Sequence, residues 1–180
     1  MPTVPYRSVG PDPVRPEAAP VGVGAMWRWA AHLVPVGTPV SLGEGGTPLV
    51  RLTTPGLPGR ILLKDERANP TDSFKDRLAS ATVSRARHLG ADTVVVASTG
   101  NAGLAVAAYA AAARVRCVLL ASQGLPAATG AAVEALGARV LLTETFTDRW
   151  TVARTGVEQL GWFPVTNYLT PPVASHPVGV

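Results

Sequence analysis

The chain has 180 residues, 47% of them hydrophobic and 16% charged, with a mean hydropathy of +0.22. This is enough for one folded domain, or one domain and part of another, and it argues against wholesale disorder. The net charge of +4 comes from arginines scattered from Arg7 to Arg154 without interleaved aromatics, so no nucleic-acid partner is expected.

Apolar runs such as Val115–Ala121 are far too short to cross a bilayer, so no membrane partner is expected either. The Pro-rich start carries Asp12 and Glu17 and lacks the pattern of a signal peptide. A cytoplasmic protein is therefore expected. Cys117 is the only cysteine, and His32, His88 and His176 show no ligand spacing, so neither a disulfide nor a metal site is expected.

In chain order, residues 1–25 read as irregular, and 26–36 as a short helix ended by Pro35. A Gly-rich turn and short strand follow over 41–52, then a strand over 59–66. Ser73 and Asp76 give an S-x-x-D cap signature for a helix closed by Gly90. Thr93–Ala97 reads as a buried strand, 98–103 as a turn and 104–113 as an Ala-rich helix. A strand over 115–121, a helix near 127–136 and a strand over 138–143 come next. A helix over 148–160 ends at Gly161, and 162–167 forms a fourth strand weakened by Pro164. This alternation predicts an α/β fold, βαβαβαβ, with an open parallel sheet and helices on both faces. Ligands in such sheets gather beyond the carboxyl ends of the strands.

Two features point to chemistry. Of the 16 basic residues only Lys64 and Lys75 are lysines, and Lys75 sits in the first turn of a predicted helix. A cation is badly placed there, whereas an amine with an easily lost proton is well placed for Schiff-base chemistry. A solvated lysine covering apolar surface is the plain alternative. The second feature is "STGNAG", 98–103, which opens a helix after a strand and can receive an anion on its N–H groups. A dinucleotide site would need an acid about 20 residues later, and Leu119–Leu125 contains none. No Gly-Lys-Ser/Thr of a P-loop exists. "GEGGTP", 43–48, alone reads as a flexible turn.

Together "GEGGTPL" (43–49), "NPTDSFKDR" (69–77) and "STGNAG" (98–103) resemble, in order and spacing, the fold-type II pyridoxal-phosphate enzymes, and most closely the threonine synthase group. The resemblance covers roughly residues 26–180. It implies pyridoxal 5'-phosphate as cofactor, held through the amine of Lys75, which then moves protons on the substrate. It implies that Phe74 packs near the cofactor ring and that Asn101 hydrogen-bonds its phenolic oxygen. Ser98, Thr99, Gly100, Asn101 and Ala102 would receive the substrate carboxylate. The implied reaction is a lyase step, O-phosphohomoserine to threonine plus phosphate. The alternatives are a truncated non-catalytic remnant and a related enzyme such as a threonine/serine dehydratase. The implied partners are a small amino-acid substrate and, in a full-length form, a second copy in a homodimer.

Asp72 stands where the group usually has glycine. Members are about twice as long, and the loop for the cofactor phosphate lies in their later half. Weak cofactor binding by these 180 residues is therefore expected. Residues 1–60 would belong to an incomplete second domain with loose anchoring, and 61–180 to the α/β domain.

Overall fold

The computed structural model describes residues 24–33, 36–53 and 61–165. Four strands, β3 (Thr93–Ala97), β4 (Arg116–Ser122), β5 (Arg139–Thr143) and β6 (Phe163–Pro164), form a parallel sheet in the order β5-β4-β3-β6. The strands are β-branched or leucine-rich and are buried on both faces where they meet helices, as parallel strands require. Along β3, Val94 and Val96 join one apolar cluster and Val95 the other. On β4 the same alternation puts Cys117, Leu119 and Ala121 on the first side and Val118 and Leu120 on the second.

Helices α2 (Asn101–Ala113) and α3 (Ala127–Ala135) cover the first face, and α4 (Phe146–Leu160) the second. Helix α1 (Lys75–His88) packs its small side chains Ala79, Val83 and Ala86 onto α2. The α/β fold with helices on both faces is therefore as the alternation predicted. Strands β1 (Leu49–Leu52) and β2 (Ile61–Lys64) stay outside that sheet and form a separate antiparallel ribbon.

Strand order reverses at β3: β4 lies on one side, reached through α2, and β6 on the other, reached through α4 on the opposite face. A reversal of this kind opens a crevice at the carboxyl ends of the strands. The 98–100 turn leaves β3 at that point. Pro164 sits on the edge strand β6, the place in a sheet where a missing N–H is tolerated.

Several boundaries differ from the expectation. The first helix is a 3-10 segment, Ala25–His32, and Pro35 lies outside the described residues. Helix α2 starts at Asn101, because nothing in Asn101-Ala102-Gly103 opposes the helix once Gly100 has turned the chain. Helix α4 starts two residues earlier than read from the pattern. Thr145 and Asp148 form a capping box there, with Thr145 Oγ1 accepting from Asp148 N (3.1 Å) and Asp148 Oδ2 accepting from Thr145 N (2.9 Å). Helix α1 starts at Lys75, and the expected cap is rearranged. Ser73 Oγ accepts from Lys75 N (3.3 Å), while the Asp76 carboxylate takes the N–H and hydroxyl of Thr71.

Gly156 in α4 is a packing residue. A Cβ there would fall on the ring carbons of Trp162, which folds back beneath the helix. Gly130 in α3 has only Leu125 Cδ2 within reach of an added Cβ, at 3.4 Å. Gly156→Ala should therefore destabilise the fold by about 1–3 kcal/mol, although alanine is the better helix former. Gly130→Ala should be neutral or stabilising by up to about 1 kcal/mol. Urea unfolding of the two variants beside the parent chain measures both signs.

Candidate functional site

Lys75 opens α1, half-buried. Its Nζ lies 4.4 Å from the centroid of the Phe74 ring and has no hydrogen-bond or ion-pair partner among the described residues. Phe74 itself is half exposed, at 50%, which leaves ring surface for a ligand. The other lysine is committed: Lys64 Nζ donates to Thr47 O (2.7 Å) and Thr47 Oγ1 (2.6 Å). Of the two lysine amines, Lys75 is thus the one left for chemistry.

Two polar networks hold the turn that carries Lys75. The first centres on Glu66. Its carboxylate accepts from Arg77 Nε (2.8 Å) and Nη2 (2.9 Å), Thr47 Oγ1 (2.7 Å) and Asn69 Nδ2 (2.9 Å). Asn69 Oδ1 in turn accepts from Gly45 N (3.0 Å). The forked arginine contact holds the Glu66 carboxyl down at about 2, against an ordinary value of 4.5. Residues of the 43–49 and 69–77 segments are thereby tied to each other.

The second network centres on Glu44, which is fully buried. Its Oε1 accepts from Trp27 Nε1 (2.8 Å) and the Ser80 hydroxyl (2.6 Å). Its Oε2 accepts from Tyr109 Oη (2.8 Å), Leu42 N (3.0 Å) and the Ser41 hydroxyl (3.0 Å). One carboxylate therefore joins the 3-10 segment, the 41–44 loop, α1 and α2. The loop can enter the interior because Gly43, Gly45 and Gly46 have φ of 100°, 89° and 63°. Gly24 and Gly45 also allow close backbone contact: a Cβ on Gly24 would strike the Glu44 backbone, and one on Gly45 would lie 2.6 Å from Met26 N. Burial, followed by the Glu44 charge, pushes the Tyr109 phenol far above its usual range, so it remains a donor. The 24–46 segment is thus firmly fastened, where the sequence suggested loose anchoring.

Asp76, next to Lys75, is also fully buried, and burial raises its carboxyl above the usual aspartate value despite the Thr71 contacts. Asp72 is exposed and holds a left-handed φ of 58°. That explains the usual glycine there: the position needs a conformation glycine adopts freely, and aspartate tolerates it better than most residues.

The 98–102 turn presents donors outward. The Ser98 N–H is used by Leu120 O (3.0 Å), so Ser98 offers its hydroxyl, which lies 3.2 Å from Gly100 N. No side chain caps α2, and the N–H groups of Thr99, Asn101 and Ala102 have no partner among the described residues. Gly103 lets the turn sit on the sheet, since a Cβ there would meet Leu119 Cδ1 at 2.8 Å. Lys75 and Asn101 each open one of two helices packed on each other, and they make no direct hydrogen bond. An amine without a partner among the described residues, beside an aromatic face, suits a ligand carrying an aldehyde on a ring, and the uncapped helix start suits the anion of a substrate held beside it. The residues present therefore fit pyridoxal phosphate.

Sequence reasoning passed over Glu44, Trp27 and Tyr109. The available signal was an acid set among glycines that otherwise have no reason to bracket it. Among the described residues no group of three or more His, Cys, Asp or Glu could hold a metal, and no helix is long and apolar enough to cross a membrane. Cys117 is buried, with its thiol pushed up to about 12, and is unreactive on that account.

Known proteins resemble this chain over part of their length. The threonine synthase of Methanosarcina acetivorans is 39% identical over 137 residues, 73% of this chain and 34% of that protein. That of Mycobacterium leprae is 46% identical over 110 residues, 57% of this chain and 29% of that protein. The chain thus spans about a third of the length of these curated relatives. Among solved structures, O-ureido-L-serine synthase superposes with a TM-score of 0.62 at 30% identity, over 69% of this chain and 42% of that one. Cysteine synthase from Entamoeba histolytica gives 0.63 at 25% identity, over 71% and 42%.

Two outcomes check the networks. Glu44→Ala leaves four elements with unmet donors and should cost about 3–5 kcal/mol in chemical denaturation. Glu66 is held below its unfolded value, so the stability it contributes is present above about pH 4.5 and is lost as pH falls from there toward about 2. Arg77→Met should remove most of that acid dependence and cost about 1–3 kcal/mol at neutral pH, measured by thermal melts across the acid range. The profile of the pyridoxal-phosphate dependent enzyme family matches residues 40–178, and with the site geometry this establishes that the chain belongs to that family, whose cofactor is pyridoxal 5'-phosphate.

Proposed function

We propose that this chain supplies the lysine-bearing part of a pyridoxal-phosphate-dependent lyase of the threonine synthase type, acting on O-phosphohomoserine to give threonine and phosphate. The observation that carries the reading is Lys75: a half-buried amine without a hydrogen-bond or ion-pair partner among the described residues, in a helical turn fixed by two networks. The names of the curated relatives support the reaction type. On this reading residues 1–60 belong to a second domain and 61–180 form the α/β domain.

When bound, the cofactor supplies an electron-withdrawing ring that stabilises negative charge on a substrate carbon. Lys75 Nζ would hold the cofactor, and its amine would take a proton from the substrate and return it. The Phe74 ring shields one side of the amine from water. The side-chain amide of Asn101 would donate to the cofactor's phenolic oxygen. The N–H groups of Thr99, Asn101 and Ala102, with the Ser98 and Thr99 hydroxyls, would receive the substrate carboxylate over the turn at Gly100, where no side chain obstructs it. A second reading, replacement chemistry on a serine-type substrate, is favoured by the 30% identity to O-ureido-L-serine synthase.

The test is selective labelling. Incubation with pyridoxal 5'-phosphate, borohydride reduction and peptide mapping should place the tag on Lys75. Lys75→Ala should abolish the visible band, and Lys64→Ala should spare it. Equal labelling of both lysines, or a tag confined to Lys64, would falsify the assignment of Lys75 as the cofactor amine.

A further inference from the structure

A second concavity lies at the opposite end of the sheet. It has a volume of about 610 Å³ and is lined by Thr93, Arg116, Arg139, Leu141, Leu160 and Trp162, among others. Thr93 and Arg116 are paired first residues of β3 and β4, and Arg139 opens β5. The register pairs Val118 with Arg139, and Arg116 lies two residues before Val118, so both guanidiniums rise from the face covered by α4. That face ends where α4 ends, at Leu160 and the Gly161 cap.

The two arginines are unusually free for their setting. Arg116 Nε donates to Thr93 Oγ1 (3.0 Å), which fixes its direction. Among the described residues Arg116 makes no ion pair and Arg139 makes no side-chain hydrogen bond or ion pair. Neither reaches the last carbonyls of α4, although a helix end is where cations usually find acceptors. Beside them Leu160 is 64% exposed, an apolar side chain open to the same space. Trp162 is pinned by Gly156 and presents part of its indole to the same space.

We propose that this concavity binds a small organic anion with an aromatic body, its acid group between Arg116 and Arg139 and its ring against Trp162 and Leu160. The volume falls in the range of small-molecule sites, and paired guanidiniums beside apolar walls are complementary to an amphipathic anion. The β3 turn at the far end of the same strands is about 15 Å away, so the site is independent of the cofactor lysine. Occupancy would bear on the packing of α4 against the sheet.

The probe is 1-anilinonaphthalene-8-sulfonate, titrated into the whole chain by calorimetry, with amide shifts mapped by NMR. The expected result is saturable one-to-one binding, with shifts centred on the starts of β4 and β5 and the end of α4. Arg139→Gln and Arg116→Gln should each weaken binding about tenfold. Lys75→Ala should leave it unchanged, which separates this site from the proposed catalytic one. Both arginines are exposed, so the variants should melt like the parent, and a melt of each verifies this. Three results overturn the proposal: binding that survives both substitutions, inorganic phosphate binding as tightly as the probe, or shifts centred on the leucines of the β1–β2 ribbon.

Discussion

A buried carboxylate that makes no ion pair among the described residues organises this protein. Taking the Glu44 charge out of water would cost several kcal/mol if it were left unmet. Here its hydrogen-bond partners come from four places in the chain, and each is positioned only when its own element is in place. The charge therefore makes a demand that local structure cannot satisfy. The 3-10 segment must bring an indole N–H, α1 a hydroxyl and α2 a phenol. The surrounding glycines are the means of delivering the charge, because a chain with side chains at those points could not enter.

That demand has a geometric result. Ser80 lies little more than one turn beyond Lys75, and Tyr109 is about two turns beyond Asn101. Fixing both to one carboxylate fixes how the first turns of α1 and α2 stand to each other. The Glu66 network adds a second point of attachment on the other side of Lys75, through Arg77 and Asn69. Lys75 and the 98–102 turn are thereby each held by rigid helices, while the amine itself makes no hydrogen bond or ion pair among the described residues. Such a division of labour is what a reactive group requires: orientation from its neighbours, with no bond that must be broken before it can act.

Much of the α/β core could be read from the sequence, and the reason is burial. Valines in β3 and leucines in β4 leave no ambiguity about strands covered on both faces, and Gly90, Gly137 and Gly161 mark helix ends through their positive φ. The three motifs pointed to the proposed site because each contains residue types that are costly without a purpose. What escaped was relational. Nothing near Glu44 in sequence announces Trp27, Ser80 or Tyr109, whose separations from it run from 17 to 65 residues. The Ser73–Asp76 spacing suggested a cap, but Thr71 competed for the Asp76 carboxylate and won through the left-handed turn at Asp72. Pairing of β1 with β2 was equally invisible, since both are short and neither alternates in burial.

The shape of β6 carries a last implication. Two residues of this strand meet β3, and one of them is Pro164. Among the described residues no further strand pairs with β6, and an unpaired sheet edge ordinarily invites strands from other molecules, with fibril growth as the extreme outcome. An imino acid on the margin interrupts that invitation, because a newcomer finds a gap in the row of donors. The proline that weakened this segment as a strand thus doubles as protection against unwanted templating along that edge.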